Sequence, residues 1–150
     1  MKADKELKPI GQDFLQIAKD AASKYGLDPL IILAIAKAES NLIASAVSKP
    51  NKNGTKDYGL MQINEINLEF VGATKDTILN PKTNIFGGAH LLNHKRTYIL
   101  QKLGRITTQM LISSYNQGEG ATVKRGIMAN AAYVAKVWYW YGIYKLRGGL

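Results

Sequence analysis

Asp28-Pro29-Leu30-Ile31-Ile32-Leu33-Ala34-Ile35-Ala36-Lys37-Ala38-Glu39-Ser40 is the stretch that decides how this chain folds. Asp28 offers a carboxylate to the free N–H groups of a helix start, and Pro29 suits the first helical position, where a missing N–H does no harm. From Leu30 to Ala36 every residue is apolar, so no side of this helix suits water and it belongs in the middle of the fold. Glu39 closes it, with Ile32, Ile35 and Ala36 on the same face. Partial burial and the negative end of the helix dipole both disfavour the ionised carboxylate there. Both therefore raise its pKa, as a general acid requires if it is to hold a proton near neutral pH. The other acidic residues among the 11 lie in polar, loop-like or helix-surface contexts. A lone glutamate at a helix end is more often solvated, so the surrounding pattern has to decide.

Outward from this helix the chain reads as almost wholly α. On the N-terminal side, Ile10, Phe14, Ile17, Ala18, Ala21 and Tyr25 recur at helical spacing and Gly26 stops the run. Residues 1–9 read as a flexible leader to it. On the other side, 44–58 is a polar, turn-rich loop in which Asn53-Gly54 suits a tight hairpin turn and short strands. Helical patterning resumes at Leu60 and is predicted to run to Phe70. Asn80-Pro81 opens a further helix that ends at Gly104, Thr107 or Thr108 caps the next, and Gly118 and Gly120 flank a break. A last helix is predicted over 131–146. With no repeat, linker or composition shift, residues 1–150 form one domain.

The composition is that of an ordinary globular protein, 46% hydrophobic and 21% charged. There is no cysteine, hence no disulfide framework and no thiolate metal site. His90 and His94 stand one helical turn apart, but no third ligand accompanies them, so they read as surface or structural residues and no metal is expected. The net charge of +9 favours anionic partners, either nucleic acid or the bacterial cell wall. Because the basic residues are dispersed along the chain, nucleic acid is the weaker partner. Met1 to Lys8 lacks the apolar run of a signal peptide, and no segment has the length of a membrane span.

Four blocks then occur in order. Ala38-Glu39-Ser40 is followed by Tyr58-Gly59-Leu60-Met61-Gln62-Ile63-Asn64, by Asn84-Ile85 with Gly88 and Leu91-Leu92, and by Ser114-Tyr115-Asn116-Gln117-Gly118. Tyr133-Val134 with Lys136-Val137 completes the pattern. From Gln16 to Tyr144 the chain resembles the soluble lytic transglycosylases, and its polar loop is most similar to the small enzymes of secretion and conjugation machines or of phage. The resemblance implies a mainly α, lysozyme-like single domain of the goose-type class, monomeric and without cofactor, acting on peptidoglycan strands. It implies work in the periplasm, in the envelope or outside the cell, delivered by a secretion, conjugation or phage tail assembly if no leader is used.

The resemblance also assigns roles. Glu39 would protonate the glycosidic oxygen and then, as base, draw the muramic acid C6 hydroxyl onto C1. Ser48 would contact the glutamate or the substrate, or only shape its loop. Gln62 would bond sugar or an N-acetyl group, or cap a local helix start. Asn64 replaces a methionine of some relatives. Tyr115 would place its hydroxyl near Glu39, Asn116 would shape the turn beside it, and Tyr133 would reach the cleft or the core. The aromatic run Trp138-Tyr139-Trp140-Tyr141 reads as half core and half surface. Two alternatives stay open: a goose-type hydrolase with Asp57 as second carboxylate holding the water, or a glycan-binding component of a larger machine that does not turn over.

Overall fold

The computed structural model describes residues 12–147, so the leader at 1–9 and Ile10 lie outside the described residues. Six α-helices and one two-stranded ribbon make up the described fold: helices α1 (Gln12–Tyr25) and α2 (Pro29–Ser40), strands β1 (Asp57–Tyr58) and β2 (Ile63–Asn64), then α3 (Pro81–Leu103), α4 (Thr108–Gln117), α5 (Glu119–Arg125) and α6 (Ala131–Leu146). Among the described residues no helix is long and apolar enough to cross a membrane.

Helix α2 is the centre. Asp28 caps it, its carboxylate accepting the Leu30 N–H at 2.9 Å, and Asn41 ends it in the left-handed region at φ 56°. Ile32, Leu33, Ala34, Ile35 and Ala36 are fully buried in sequence, which is possible because α1 packs on one side of this helix and α6 on another. Along α1, Ala18, Ala21 and Ala22 face the core, small side chains that let the two helices approach closely. Helix α6 lies over α2, and its Tyr141 hydroxyl donates to the second carboxylate oxygen of Asp28 at 2.8 Å. Pro81 and Asn80 start α3, and Thr107 caps α4.

The helix predicted from Leu60 to Phe70 does not form. Gly59 at φ 78° and Gln62 at φ 49° reverse the chain, after which Ile63 pairs with Tyr58 and Asn64 with Asp57 in an antiparallel ribbon. Asn64 then caps a single 3-10 turn, Glu65–Asn67. The apolar residues Leu60, Met61 and Ile63 suggested one helical face, yet all three are fully buried. A tight turn pushed into the core buries neighbouring residues together, whereas a surface helix cannot. The tight turn expected in the polar loop is present at Gly54, φ 82°, and Val47 bridges to Tyr58 below it.

What holds that turn in the core is Asn84, on the first turn of α3 and fully buried. Its carbonyl oxygen accepts the Met61 N–H at 2.7 Å, and its amide nitrogen donates to Tyr58 O at 2.8 Å and to Ile78 O at 2.9 Å. Two glycines complete the fit. A Cβ on Gly88 would lie 2.1 Å from the Met61 sulfur, and one on Gly59 would lie 2.2 Å from the Asn84 amide. Asn84→Ala is therefore expected to remove a side-chain partner from three backbone groups at once and to cost about 3 kcal/mol or more in stability. Denaturant unfolding checks this; a loss below about 1 kcal/mol would mean that the turn holds its place without the amide.

Candidate active site

The C-terminal end of α2 opens onto a polar cleft of about 370 Å³, a volume within the range of small-ligand sites. Glu39, Asp57, Gln62, Asn64, Tyr115 and Asn116 line it. These residues come from α2, from the ribbon with its turn and from the last turn of α4, three segments far apart in the chain. Tyr133, on the first turn of α6, faces Glu39 from behind. Ser48 is not part of the wall. Its Oγ accepts the Asp57 N–H at 2.9 Å and donates to Lys49 O at 2.8 Å, so it shapes the strand that presents Asp57.

Glu39 is largely buried, and burial raises its pKa above the ordinary 4.5. Asp57 across the cleft raises it further, while the Tyr133 hydroxyl and the Lys136 ammonium pull the other way. The Tyr133 hydroxyl has no hydrogen-bond partner at ordinary length although it is buried, and it lies close enough to Glu39 for each to shift the other. It is thus a donor aimed at the carboxyl, unpaid by any other bond, and it stabilises the anion left when Glu39 gives up its proton. Lys136, one turn further along α6, donates to Ala38 O at 2.9 Å. Its charge therefore sits on the negative end of the α2 dipole, beside the acid.

The Tyr115 hydroxyl donates to Met61 O at 2.6 Å, so the group expected beside Glu39 is committed to the turn of the ribbon. Burial and the nearby Glu39 and Asp57 charges hold it protonated. Asp57 is kept in place by Asn64, whose amide donates to Oδ1 at 2.8 Å, and more weakly by Asn51 at 3.4 Å. Gln62 is fixed through its amide nitrogen to Gly59 O at 3.0 Å and Ala46 O at 3.2 Å. Asn116 accepts from Asn130 at 3.1 Å, which links the turn after α4 to the start of α6.

Sequence reasoning missed Asn67, Leu91, Lys95, Gln117 and Gly118 in the cleft wall. Leu91 and Lys95 are one turn apart on α3, a visible spacing, but only the packing of α3 against α5 reveals that they face a cleft. His90 is stacked between Tyr25 and Phe70, with ring centroids 5.6 and 4.5 Å away, and His94 meets the edge of Phe70 at 5.3 Å. In the aromatic run, Trp138 and Tyr139 are exposed, while Trp140 lies under the Lys37 ammonium at 4.8 Å and Tyr141 reaches Asp28.

Residues 16–135 match the family model described as the transglycosylase SLT domain. The chain is 29% identical over 122 residues to a membrane-bound lytic murein transglycosylase C of Histophilus somni, covering 75% of this chain and 33% of that protein. It is 36% identical over 77 residues to protein IpgF of Shigella flexneri, covering 49% of this chain and 50% of that protein. The chain thus spans about a third to a half of the length of these relatives. In fold it is similar to an inactive mutant of the lytic transglycosylase Slt of Pseudomonas aeruginosa, with a TM-score of 0.69 at 20% identity over 88% of this chain and 24% of that one.

The charges around Glu39 generate two predictions. Its folded pKa lies above its unfolded value, so the folded protein loses stability as pH rises from the unfolded value through the folded one. Glu39→Gln lacks that loss. The variant is expected to melt higher than the parent near neutral pH and level with it at pH below the ordinary 4.5; thermal melts that stay parallel across this window would show that folding does not raise the Glu39 pKa. Lys136→Met removes a charge that favours the ionised form, so the alkaline fall in turnover is expected to move to higher pH, with Lys136→Arg restoring the original limb. A pH–rate profile of the three proteins decides it, and an unmoved limb in the methionine variant counts against Lys136.

Proposed function

This chain belongs to the transglycosylase SLT domain family, and from that premise we propose that it is a peptidoglycan lytic transglycosylase that uses Glu39 as its single acid and base. The observation that carries this is one carboxyl with a raised pKa, at the end of the most buried helix, opening into a polar cleft. In the proposed reaction Glu39 protonates the oxygen of the β-1,4 bond between N-acetylmuramic acid and N-acetylglucosamine, and the N-acetylglucosamine leaves with a free hydroxyl. The Glu39 carboxylate then takes the proton of the muramic acid C6 hydroxyl as that oxygen bonds to C1. A 1,6-anhydro ring results and the acid is restored, with no net use of water. The Tyr133 hydroxyl supports the anionic stage. Because the nucleophile belongs to the substrate, one carboxylate suffices, in contrast to the paired carboxylates of ordinary glycosidases.

A second reading rests on Asp57, which lines the same cleft and is held by two asparagine amides. A fixed carboxylate across from the acid is what a hydrolase would use to steady water. The relatives named for murein suggest an anionic wall as target and the cell envelope as place of action. The net charge of +9 would add a screened, long-range attraction to that wall.

Mass spectrometry of muropeptides released from purified peptidoglycan tests the choice. Products one water lighter than the reducing forms are expected, with a loss of at least about a hundredfold in Glu39→Gln, in line with removal of a general acid. Reducing products would transfer the assignment to the hydrolase and to Asp57. No products from the parent protein would leave a glycan-binding component.

A further inference from the structure

At the far wall of the cleft, α3 contributes a charge that the proposed chemistry does not use. Lys95 lines the same cleft as Glu39, yet its side chain is only 14% exposed and its ammonium lies 2.9 Å from Glu119 Oε2. Glu119 follows directly on Gly118, where α4 gives way to α5, so the pair stands next to the last turn of α4, which carries Tyr115 and Asn116. Glu119 has a second neighbour, His94, whose Nε2 lies 3.7 Å from Oε1.

This is an uneconomical way merely to join two helices. A largely desolvated ion pair is seldom better for stability than apolar residues of the same size. Placed on a cleft wall, though, the pair presents an ammonium that is already partly stripped of water and already oriented. Glu119 also has a second side chain beside it. If an incoming anion engages Lys95, Glu119 still has His94 beside it and is not left buried and alone. The sugar backbone of a peptidoglycan strand has no charge of its own for such a group, whereas the stem peptides on the muramic acid lactyl group carry free carboxylates.

Resting on the transglycosylase reading above, we propose that Lys95 is a carboxylate-binding subsite at the end of the cleft, which engages a stem-peptide carboxylate of the bound strand while Glu119 holds the ammonium in position. The site thereby distinguishes strands bearing acidic stems from strands whose stems are neutral.

The test uses peptidoglycan strands with native stems beside the same strands after carbodiimide conversion of stem carboxylates to primary amides. For the parent protein kcat/KM is expected to be about tenfold higher on native strands, carried mainly by KM, as for one charge-assisted hydrogen bond. In Lys95→Met that ratio should fall to near one, and in Lys95→Arg it should persist. Glu119→Gln removes the charge that holds the ammonium in position and should lower the ratio, with Glu119→Asp retaining more of it, which provides the answer even if the methionine variant does not fold. A ratio unchanged in Lys95→Met, with activity lost equally on both substrates, would mark the pair as a strut between helices and overturn the proposal. So would a parent protein indifferent to amidation, or a preference unchanged by Glu119→Gln. Absence of products from the parent on both substrates would instead remove the enzymatic premise, and the subsite with it.

Discussion

The structure depends on one side-chain amide. Asn84 satisfies three backbone groups at once, at residues 58, 61 and 78, and does so from a position with no access to water. Backbone groups forced into a core without a secondary-structure ladder must find partners or cost free energy. The turn at Gly59–Gln62 is such a segment. With its amide and carbonyl groups accounted for by Asn84, the turn can enter the core between α3 and α4, and the Tyr115 hydroxyl then closes it from the other side through Met61 O. The ribbon that hangs from this turn carries Asp57 and Asn64, and the turn itself carries Gln62. Half of the cleft is therefore positioned by an asparagine that never meets a ligand.

The other half follows from burying α2 on all sides. Its apolar residues leave no freedom for the helix to slide, so Glu39 stands at a fixed depth. The consequence is a carboxyl that destabilises the folded protein when ionised and is useful for that reason. Its surroundings are balanced rather than uniformly hostile. Burial and Asp57 favour the protonated acid, while Tyr133 and Lys136 favour the anion. An acid that must release its proton and recover it within one cycle needs both influences, and the two favourable groups come from one face of one helix, α6, at i and i+3.

How much of this was legible in the sequence depended on whether the signal was local. Helices α2, α3 and α6 announced themselves by caps and apolar runs, and the position of Glu39 at the end of α2 followed from the same residues. The stretch from 60 to 70 misled because helical spacing and a buried turn place apolar residues at similar intervals, and only the pairing with 57–58 and the contact with Asn84 separate them. Tyr115 lines the cleft, but the acceptor for its hydroxyl, a carbonyl 54 residues away, leaves no trace in local pattern. Lys95 was invisible for the same reason: a lysine on a long helix looks like any solvated charge until α5 folds over it.

Asp57 shows why cleft membership alone does not assign a role. Its carboxylate is tied to Asn64 and Asn51, and its N–H to Ser48, so the polar loop before it works as a mount for this one group. A group so mounted acts on Glu39 through its charge whether or not it touches substrate. The Asp57 charge makes ionisation of Glu39 less favourable. Burial acts on Glu39 in the same direction and more strongly, so the proton is favoured there. That asymmetry serves either chemistry at the first step, protonation of the leaving oxygen. The two chemistries part only afterwards, over whether the oxygen that reaches C1 comes from the sugar or from water. The choice thus rests on how closely the strand fills the space between the two carboxylates, and the groups that press the strand into that space matter as much as the carboxylates themselves.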